Sequence, residues 1–172
     1  MVEQMILRPA TLDDLAILRS WDDEPHVIAA GGADDTFDWA SELPRAVAWR
    51  ELLVAAIGAR PIGFIQIIDP AEEETHYWAE VEANQRAIDI WIGAAGDLGR
   101  GYGTQMMRLA LARCFADAAV TAVLIDPLAS NERACRFYER LGFRAIERRL
   151  FGADDCIVYR LGRDDWRSGG NS

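Results

Sequence analysis

The sequence predicts one α+β domain in which short apolar strands and amphipathic helices alternate. The chain has 172 residues and a mass of 19.2 kDa, the size of one ordinary domain. Two apolar runs, 52–57 and 62–68, flank Gly58-Ala59-Arg60-Pro61, which is a strong hairpin signal. We expect the domain to occupy residues 1–162 and to be followed by a polar, flexible tail over residues 163–172.

Local signals place the other elements along the chain. Proline closes a first apolar strand at residues 5–9, and Thr11 with Asp14 forms a capping-box pattern before a helix that extends to about Trp21. Thr36 is a candidate cap for a second helix. The remaining predicted elements are strands at 87–93, 122–125, 143–150 and 156–161, helices at 104–115 and 131–141, and loops at 22–35 and 71–86.

The composition describes a globular protein with a large negative charge. It is 51% hydrophobic and 27% charged, and 28 acidic residues face 18 arginines and no lysine, which gives a formal charge of −10. Such a chain repels nucleic acid and anionic membranes, so we expect neither as a partner. The apolar runs are too short to span a bilayer and no secretory signal is recognisable, so we expect a cytoplasmic location. For the oligomeric state we expect a monomer or a homodimer.

The charge is divided unevenly between two parts of the chain. Residues 1–86 contain 17 acids and 6 arginines, whereas residues 100–149 contain 9 arginines and 5 acids. The first part therefore suits a cation and the second an anion, although both patterns also fit ordinary solvated faces. Three scattered cysteines and two distant histidines have no metal-ligand spacing, so we expect no metal.

A glycine-rich turn links a strand to the strongest predicted helix. Leu98-Gly99-Arg100-Gly101-Tyr102-Gly103-Thr104 lets the backbone approach a ligand closely, and the helix that follows presents unpaired N–H groups. These features are typical of a phosphate or diphosphate cradle. The sequence lacks the context of a dinucleotide fingerprint and the lysine of a nucleoside triphosphatase loop.

A second cluster begins about thirty residues later. It runs from Asp126-Pro127 through a helix that begins at Asn131 and ends before Gly142. Asn131 and Tyr138 lie on one face of this helix. From this helix alone, a structural tyrosine and a catalytic one both remain open.

Together the two clusters resemble the GCN5-related N-acetyltransferase (GNAT) superfamily. The resemblance rests on Gly99-Arg100-Gly101-Tyr102-Gly103-Thr104 and on the segment from Asn131 to Phe143, and it covers about residues 5–161. Within the superfamily, Ala87-Ile88-Asp89 and the segment after Asp126 look most like aminoglycoside 6′-N-acetyltransferases. The resemblance implies a mixed, mostly antiparallel sheet of about six or seven strands, flanked by helices and splayed between strands 4 and 5.

The resemblance also implies a site for acetyl-CoA in the splay. By analogy, the amides of residues 99–104 hold the diphosphate and the strand edge at Ile92 pairs with the pantetheine arm. Asn131 then binds the pantetheine beside Ala134, and Tyr138 reaches the thioester sulfur. Leu98 stands where the superfamily pattern usually has Gln or Arg, a contact that Arg100 is placed to replace.

For the acceptor, the resemblance points to a cationic amine held by carboxylates. Asp89 is one acid on an otherwise apolar strand and matches the base of the aminoglycoside branch; Asp126 matches a residue that binds substrate amines. The alternatives are an acid that faces solvent and an ordinary strand-ending turn. Further candidate residues for attracting or stacking on the substrate are His26, Asp34, Asp35, Asp38, Trp39, Glu72, Glu73, Glu74 and Trp78.

The predicted function is acetyl-CoA-dependent N-acetylation, with an aminoglycoside as the favoured acceptor. A second possibility is acetylation of another small amine, such as a siderophore hydroxylamine or a polyamine. A third, from a different class, is a domain that senses acyl-CoA without catalysis. A sensor would release no thiol with any amine.

Overall fold

A seven-stranded mixed sheet forms the centre of the protein. The structure is a computed structural model that describes residues 2–31 and 37–169. The strands lie in the order β1-β2-β3-β4-β5-β7-β6, and every neighbouring pair is antiparallel except β4 and β5, which are parallel. Their bounds are β1 Met5–Pro9, β2 Arg50–Ile57, β3 Arg60–Ile68, β4 Gln85–Ile92, β5 Ala122–Ile125, β6 Arg144–Phe151 and β7 Asp154–Gly162.

Six α-helices in the described residues surround this sheet. Their bounds are α1 Leu15–Asp22, α2 Pro25–Gly31, α3 Trp39–Glu42, α4 Tyr102–Phe115, α5 Glu132–Arg140 and α6 Arg163–Gly169. The predicted capping box at Thr11 and Asp14 is confirmed, at the start of a short 3₁₀ turn before α1. Within residues 2–31 and 37–169, none of the helices has the length and apolar character that crossing a membrane requires.

The structure differs from the sequence prediction at three helices. Part of the predicted loop 22–35 forms α2, and α3 is capped by Asp38, while Thr36 lies outside the described residues. The predicted flexible tail begins with α6 instead. The Trp166 ring of α6 stacks on Phe115 at the end of α4, with the ring centroids 4.7 Å apart. This apolar contact holds α6 against the domain, although most residues of the segment are polar.

The sheet opens between β4 and β5, which confirms the predicted splay. Only Gln85 to Ala87 pair with β5, and in the described part of the chain no strand lies beside the rest of β4 on that side. The Gly93 N–H donates to the Ile62 carbonyl at 2.9 Å, which sets the phase of the β3–β4 ladder. By the alternation of an antiparallel ladder, the N–H and C=O groups of Ile90 and Ile92 therefore face the splay.

The two faces of β4 have different neighbours, as its alternating pattern predicts. Ile88 packs in the main core cluster, which includes Met106 and Met107 of α4. On the opposite face Ala87 belongs to one apolar cluster and Trp91 packs against another. Asp89 projects from the same face between these two. An acid thus lies between two patches of apolar and aromatic side chains, beside the splay.

Candidate active site

The glycine loop before α4 adopts the left-handed conformation that glycine favours. Gly99 has φ +73° and Gly101 has φ +80°, and L side chains rarely adopt such angles. A Cβ built on Gly96, Gly99 or Gly101 would meet no atom within 4 Å. The glycines are therefore required by backbone conformation, and the space over the loop is open to a ligand.

The amides of this loop form a row of unused donors. From Gly99 to Thr104, no backbone N–H makes a hydrogen bond to the described part of the chain. The last three open α4, whose N-terminus has no side-chain cap, and the first bond of the helix is that of the Gln105 N–H to the Gly101 carbonyl at 3.2 Å. Unpaired amides and the positive end of a 14-residue helix together favour an anion here.

The side chains beside the glycines shape the loop. Leu98 follows a 3₁₀ turn at Ala95–Asp97 and donates its N–H to the Ala95 carbonyl. Arg100 folds back, and its Nε donates to the Gly96 carbonyl at 3.0 Å. The Arg100 guanidinium has no carboxylate partner among the described residues. It remains available as a cation next to the amides.

Helix α5 faces the start of α4 from across the splay. The nearest atom that a Cβ on Gly103 would meet is in the Phe137 ring, 3.5 Å away. Asn131 caps α5 because its Oδ1 accepts the Ala134 N–H at 3.1 Å, and this bond occupies the Ala134 amide. The Asn131 side-chain amide has no acceptor among the described residues. It is a donor beside the splay.

Tyr138 is buried on α5, but its hydroxyl is unpaired. The side chain is 7% exposed and packs near Phe143 and Tyr159, while its hydroxyl makes no hydrogen bond to the described residues. Burial raises the pKa of Tyr138, and the charges of Asp89 and Asp126 raise it further. The hydroxyl therefore stays protonated and remains a hydrogen-bond donor.

Asp89 lies between β3 and the splay with Gln66 as its partner. The two residues are directly opposite in the β3–β4 ladder, and Gln66 Nε2 donates to Asp89 Oδ2 at 2.7 Å. Solvent reaches the carboxylate, but protein surrounds its other sides, and this loss of hydration raises the pKa of Asp89. The Gln66 amide opposes the shift. Asp89 is thus a more basic carboxylate than an ordinary surface aspartate.

Asp126 follows β5 and shares the cleft with Asp89. Loss of hydration and the charge of Asp89 raise the pKa of Asp126 to about 7. The Tyr77 hydroxyl donates to Asp126 Oδ2 at 2.7 Å and holds this pKa lower than it would otherwise be. No arginine pairs with either carboxylate in the described residues, so the pair is suited to a bound cation.

Tyr77 is the aromatic residue that the loop 69–84 presents to the cleft. It is 48% exposed, and its ring stacks on Phe151 with centroids 4.6 Å apart. Trp78, which the sequence favoured, is 2% exposed and packs edge-on against the same phenylalanine. Trp78 therefore cannot stack on a ligand. Nothing in His76-Tyr77-Trp78 shows which ring turns inward, because tertiary packing decides it.

The acidic residues of this loop have separate roles. Glu73 is buried and accepts hydrogen bonds from the amides of Thr75 and Tyr77, so it organises the loop rather than attracting a ligand. Glu74 pairs with Arg45 and is therefore partly neutralised. Glu72 is exposed and remains available for long-range attraction.

Three other predicted substrate residues lie elsewhere. His26 Nε2 bonds to the Ile92 carbonyl at 2.8 Å, so this histidine braces the end of β4 and that nitrogen is not free for an amine. Trp39 is 2% exposed and its Nε1 donates to Asp22, which places it in the core. Asp38 caps α3, and Asp34 and Asp35 lie outside the described residues.

The sequence reasoning missed two residues of this cleft. Gln66 is the one polar side chain in the apolar run 62–68. Asp89 was recognised in the same way, as one acid on an apolar strand, so the sequence could also have pointed to Gln66. Tyr77 had no comparable signal.

In addition, the outer side of α5 has a groove of about 580 Å³ lined by Asn131, Arg133, Arg136 and Arg140 among others, which fits the predicted basic part of the chain. No cluster of potential metal ligands occurs in residues 2–31 and 37–169.

Comparisons with known proteins agree with this geometry. The profile of the acetyltransferase (GNAT) domain matches residues 10–150. The chain is 30% identical over 149 residues to an aminoglycoside N(6′)-acetyltransferase type 1 of Klebsiella pneumoniae, and the match covers 82% of this chain and 74% of that protein.

Solved structures match nearly the whole chain. The aminoglycoside acetyltransferase AAC(6′)-Ib in complex with coenzyme A superposes with a TM-score of 0.82 at 26% identity, covering 96% of this chain and 98% of that one. The same enzyme with coenzyme A and kanamycin gives a TM-score of 0.81 at 25% identity, with 96% and 98% covered. Family profile, relative and fold agree, and the chain belongs to the GNAT family of acetyltransferases.

Proposed function

We propose that this protein transfers the acetyl group of acetyl-CoA to the 6′-amino group of an aminoglycoside. The observation on which the proposal rests is the placement of two unlike sites at one splay. A row of unused amides at residues 99–104 suits an anion, and the carboxylates of Asp89 and Asp126 suit a cation. The reaction joins a donor that carries a diphosphate to an acceptor that carries ammonium groups.

The donor fits the splay from the loop inward. The amides of residues 99–104 bind the diphosphate, and the pantetheine arm pairs with the edge of β4 at Ile90 and at the Ile92 N–H, since the Ile92 carbonyl is bound to His26. The unpaired side-chain amide of Asn131 donates to a pantetheine carbonyl. This arrangement leaves the thioester near Asp89 and Tyr138.

Asp89 prepares the amine for attack. An alkylammonium group has a pKa of about 10.4 in water, so most acceptor molecules arrive protonated. Asp89 accepts one proton, directly or through water, and its raised pKa makes it a better base. The neutral nitrogen then attacks the thioester carbonyl to form the C–N bond, and an N–H at the β4 edge stabilises the oxyanion.

Tyr138 assists the leaving group. As the C–S bond breaks, coenzyme A departs as a thiolate, and the Tyr138 hydroxyl donates a hydrogen bond or its proton to the sulfur. The raised pKa of Tyr138 keeps the hydroxyl protonated at neutral pH, which favours hydrogen-bond donation to the sulfur over complete transfer of the proton. The nitrogen is cationic after the attack and loses its second proton as the intermediate collapses. That proton neutralises the departing thiolate, so the products are the acetylated amine and coenzyme A in its thiol form.

The second carboxylate supports a polycationic acceptor. With Asp89 used as the base, Asp126 remains to hold another ammonium group of the same molecule, and the stacked pair of Tyr77 and Phe151 forms an aromatic wall beside it. The names of the acetyltransferases that match this chain give aminoglycosides, which carry several ammonium groups, as their acceptors. We also propose a cytoplasmic location, because acetyl-CoA is an intracellular metabolite.

A screen of amine acceptors tests the proposal. Thiol release from acetyl-CoA is measured with kanamycin, spermidine and a lysine peptide, and the position of the acetyl group in the product is determined by NMR. We expect release with kanamycin and acetylation at the 6′ nitrogen. Thiol release with spermidine but not with kanamycin would mean that the acceptor is a polyamine and not an aminoglycoside.

The variant Asp89→Asn separates an enzyme from a sensor. It should bind acetyl-CoA like the parent but release little thiol, while Asp164→Asn, the same substitution at an exposed acid of α6 outside the cleft, should behave like the parent. Donor binding with no thiol release by the parent, for any amine, would favour the non-catalytic alternative.

A further inference from the structure

Asp97 is a buried acid next to the donor loop (residues 98–104) and has a single side-chain partner among the described residues. It ends the 3₁₀ turn before the loop, is 6% exposed, and accepts two hydrogen bonds from Arg60 Nη1, at 3.0 and 2.8 Å. The other buried acids of the described residues, Asp14 and Glu73, also accept backbone amides. Asp97 instead depends on one arginine for its neutralisation.

Arg60 contacts the residue before the donor loop and a residue within it. It begins β3 at the turn of the β2–β3 hairpin and its side chain is half exposed. The guanidinium that binds Asp97 also lies over the ring of Tyr102, 6.0 Å from its centroid. Tyr102 is the first residue of α4 and lies within the loop, so one cation connects the residue before the loop with a residue inside it.

The position of Asp97 creates an electrostatic conflict that Arg60 removes. The diphosphate of the donor is doubly anionic, and an unpaired carboxylate two residues before Gly99 would repel it in a partly dehydrated setting. Paired with Arg60, Asp97 has little net field at the loop. The bonds from Arg60 Nη1 to both Asp97 oxygens also restrain the turn from which the amides project.

We propose that Arg60 is a positioning residue for donor binding, which cancels the charge of Asp97 and thereby makes the amides of residues 99–104 attractive to a diphosphate. This inference rests on the proposed acetyl-CoA site. It assigns Arg60 no contact with the reacting atoms, so its effect falls on donor affinity and not on the chemical step.

A charge-rescue experiment tests this role. Acetyl-CoA affinity is measured by calorimetry for the parent, Arg60→Gln, Asp97→Asn and the double variant, with thermal unfolding and steady-state kinetics alongside. We expect Arg60→Gln to weaken acetyl-CoA binding about tenfold, with kcat at saturating donor within about twofold of the parent. The double variant should recover most of the lost affinity because the repelling charge has gone.

Helix α4 offers a matched control at its other end. Arg113 lies in the last turn and donates to Glu51 Oε1 from Nε at 3.0 Å and from Nη2 at 2.7 Å. Arg113→Gln therefore removes another arginine–carboxylate pair, a more exposed one, at the end of α4 far from the loop. We expect donor affinity in Arg113→Gln to equal that of the parent.

The outcomes distinguish the inference from the proposed function. If the parent binds acetyl-CoA and Arg60→Gln binds it equally well, the positioning role is wrong and the proposed function stands. If the double variant binds as weakly as Arg60→Gln, Arg60 acts other than by cancelling Asp97 and the inference is overturned. If the parent does not bind acetyl-CoA, the proposed function fails, and the inference fails with it.

Discussion

The donor loop of this protein binds through backbone amides, whereas its acceptor cleft binds through side chains. The loop at residues 98–104 is one continuous segment whose binding groups are backbone amides fixed by two left-handed glycines. The cleft is assembled from β3, β4, the loop 69–84, the end of β5 and α5, and its binding groups are side chains with shifted pKa values.

This difference separates what each region does and what can disturb it. Backbone amides do not titrate, so the donor loop should respond to changes in backbone conformation and in nearby charge. Asp126, whose pKa is raised to about 7, titrates near neutral pH, so the acceptor cleft should respond to pH and to the loss of single charges. The expected substitution effects follow this division.

The largest effect is expected at Asp89. Replacing it with asparagine removes the base while keeping a similar shape next to Gln66. Since general bases contribute about 10²- to 10⁴-fold, kcat for the aminoglycoside should fall by at least about 10²-fold, with the KM for acetyl-CoA nearly unchanged. Steady-state kinetics at saturating donor measure this. A kcat within about threefold of the parent would remove Asp89 from the mechanism.

The next effect belongs to the donor loop. A methyl group on Gly101 meets no neighbour, but its φ of +80° strains any L residue by about 1–2 kcal/mol, so Gly101→Ala should weaken acetyl-CoA binding about tenfold. Gly96→Ala is the matched control, since it adds the same methyl group in open space without a positive φ. Equal losses in both variants would mean that the left-handed backbone does not shape the site.

The third effect is a pH dependence that arises from Asp126. The pKa of this carboxyl is raised to about 7, so it is ionised above that pH and becomes protonated below it. Attraction for an ammonium group is therefore present above about pH 7 and is lost as the pH falls, so the KM for the amine should rise on acidification. Asp126→Asn should give a KM about tenfold higher at pH 8 and a flatter curve. An unchanged slope in that variant would assign the titration to another group.

The smallest effect distinguishes Tyr77 from Trp78. Tyr77→Phe removes the hydrogen bond that holds the pKa of Asp126 down, so the KM curve should move to higher pH with kcat and thermal stability close to those of the parent. Trp78→Ala instead empties a buried site and should destabilise the fold by about 3–5 kcal/mol. A Tyr77→Phe variant with the parent's pH profile would show that this hydrogen bond has no bearing on the acceptor.

Much of the donor side could be predicted from the sequence because its signals are local. Glycines at fixed spacing, a helix start and the cap at Asn131 are short-range features, and the structure has the left-handed turn and the capped helix in those places. The family resemblance predicted the splay between β4 and β5. The structure has it, because only a short stretch of each strand pairs with the other. The family itself is confirmed by the profile match.

The acceptor side could be predicted only in part because it depends on distant contacts. Asp89 was recognisable as an isolated acid in an apolar strand, but its partner Gln66 lies 23 residues earlier and is brought opposite by the strand register. The orientation of Tyr77 depends on the buried Glu73, which fixes the loop, and on Phe151, 74 residues later in the chain. Such packing leaves no short-range pattern in the sequence.

A crystal structure with coenzyme A and kanamycin tests the central claim most directly. We expect the diphosphate oxygens within hydrogen-bond distance, about 2.7–3.2 Å, of amides between Gly99 and Thr104. We also expect the 6′ nitrogen of kanamycin beside Asp89 and a second ammonium group beside Asp126. A diphosphate bound in the arginine groove of α5, or an aminoglycoside held only by the exposed acids of the loop 69–84, would contradict the account.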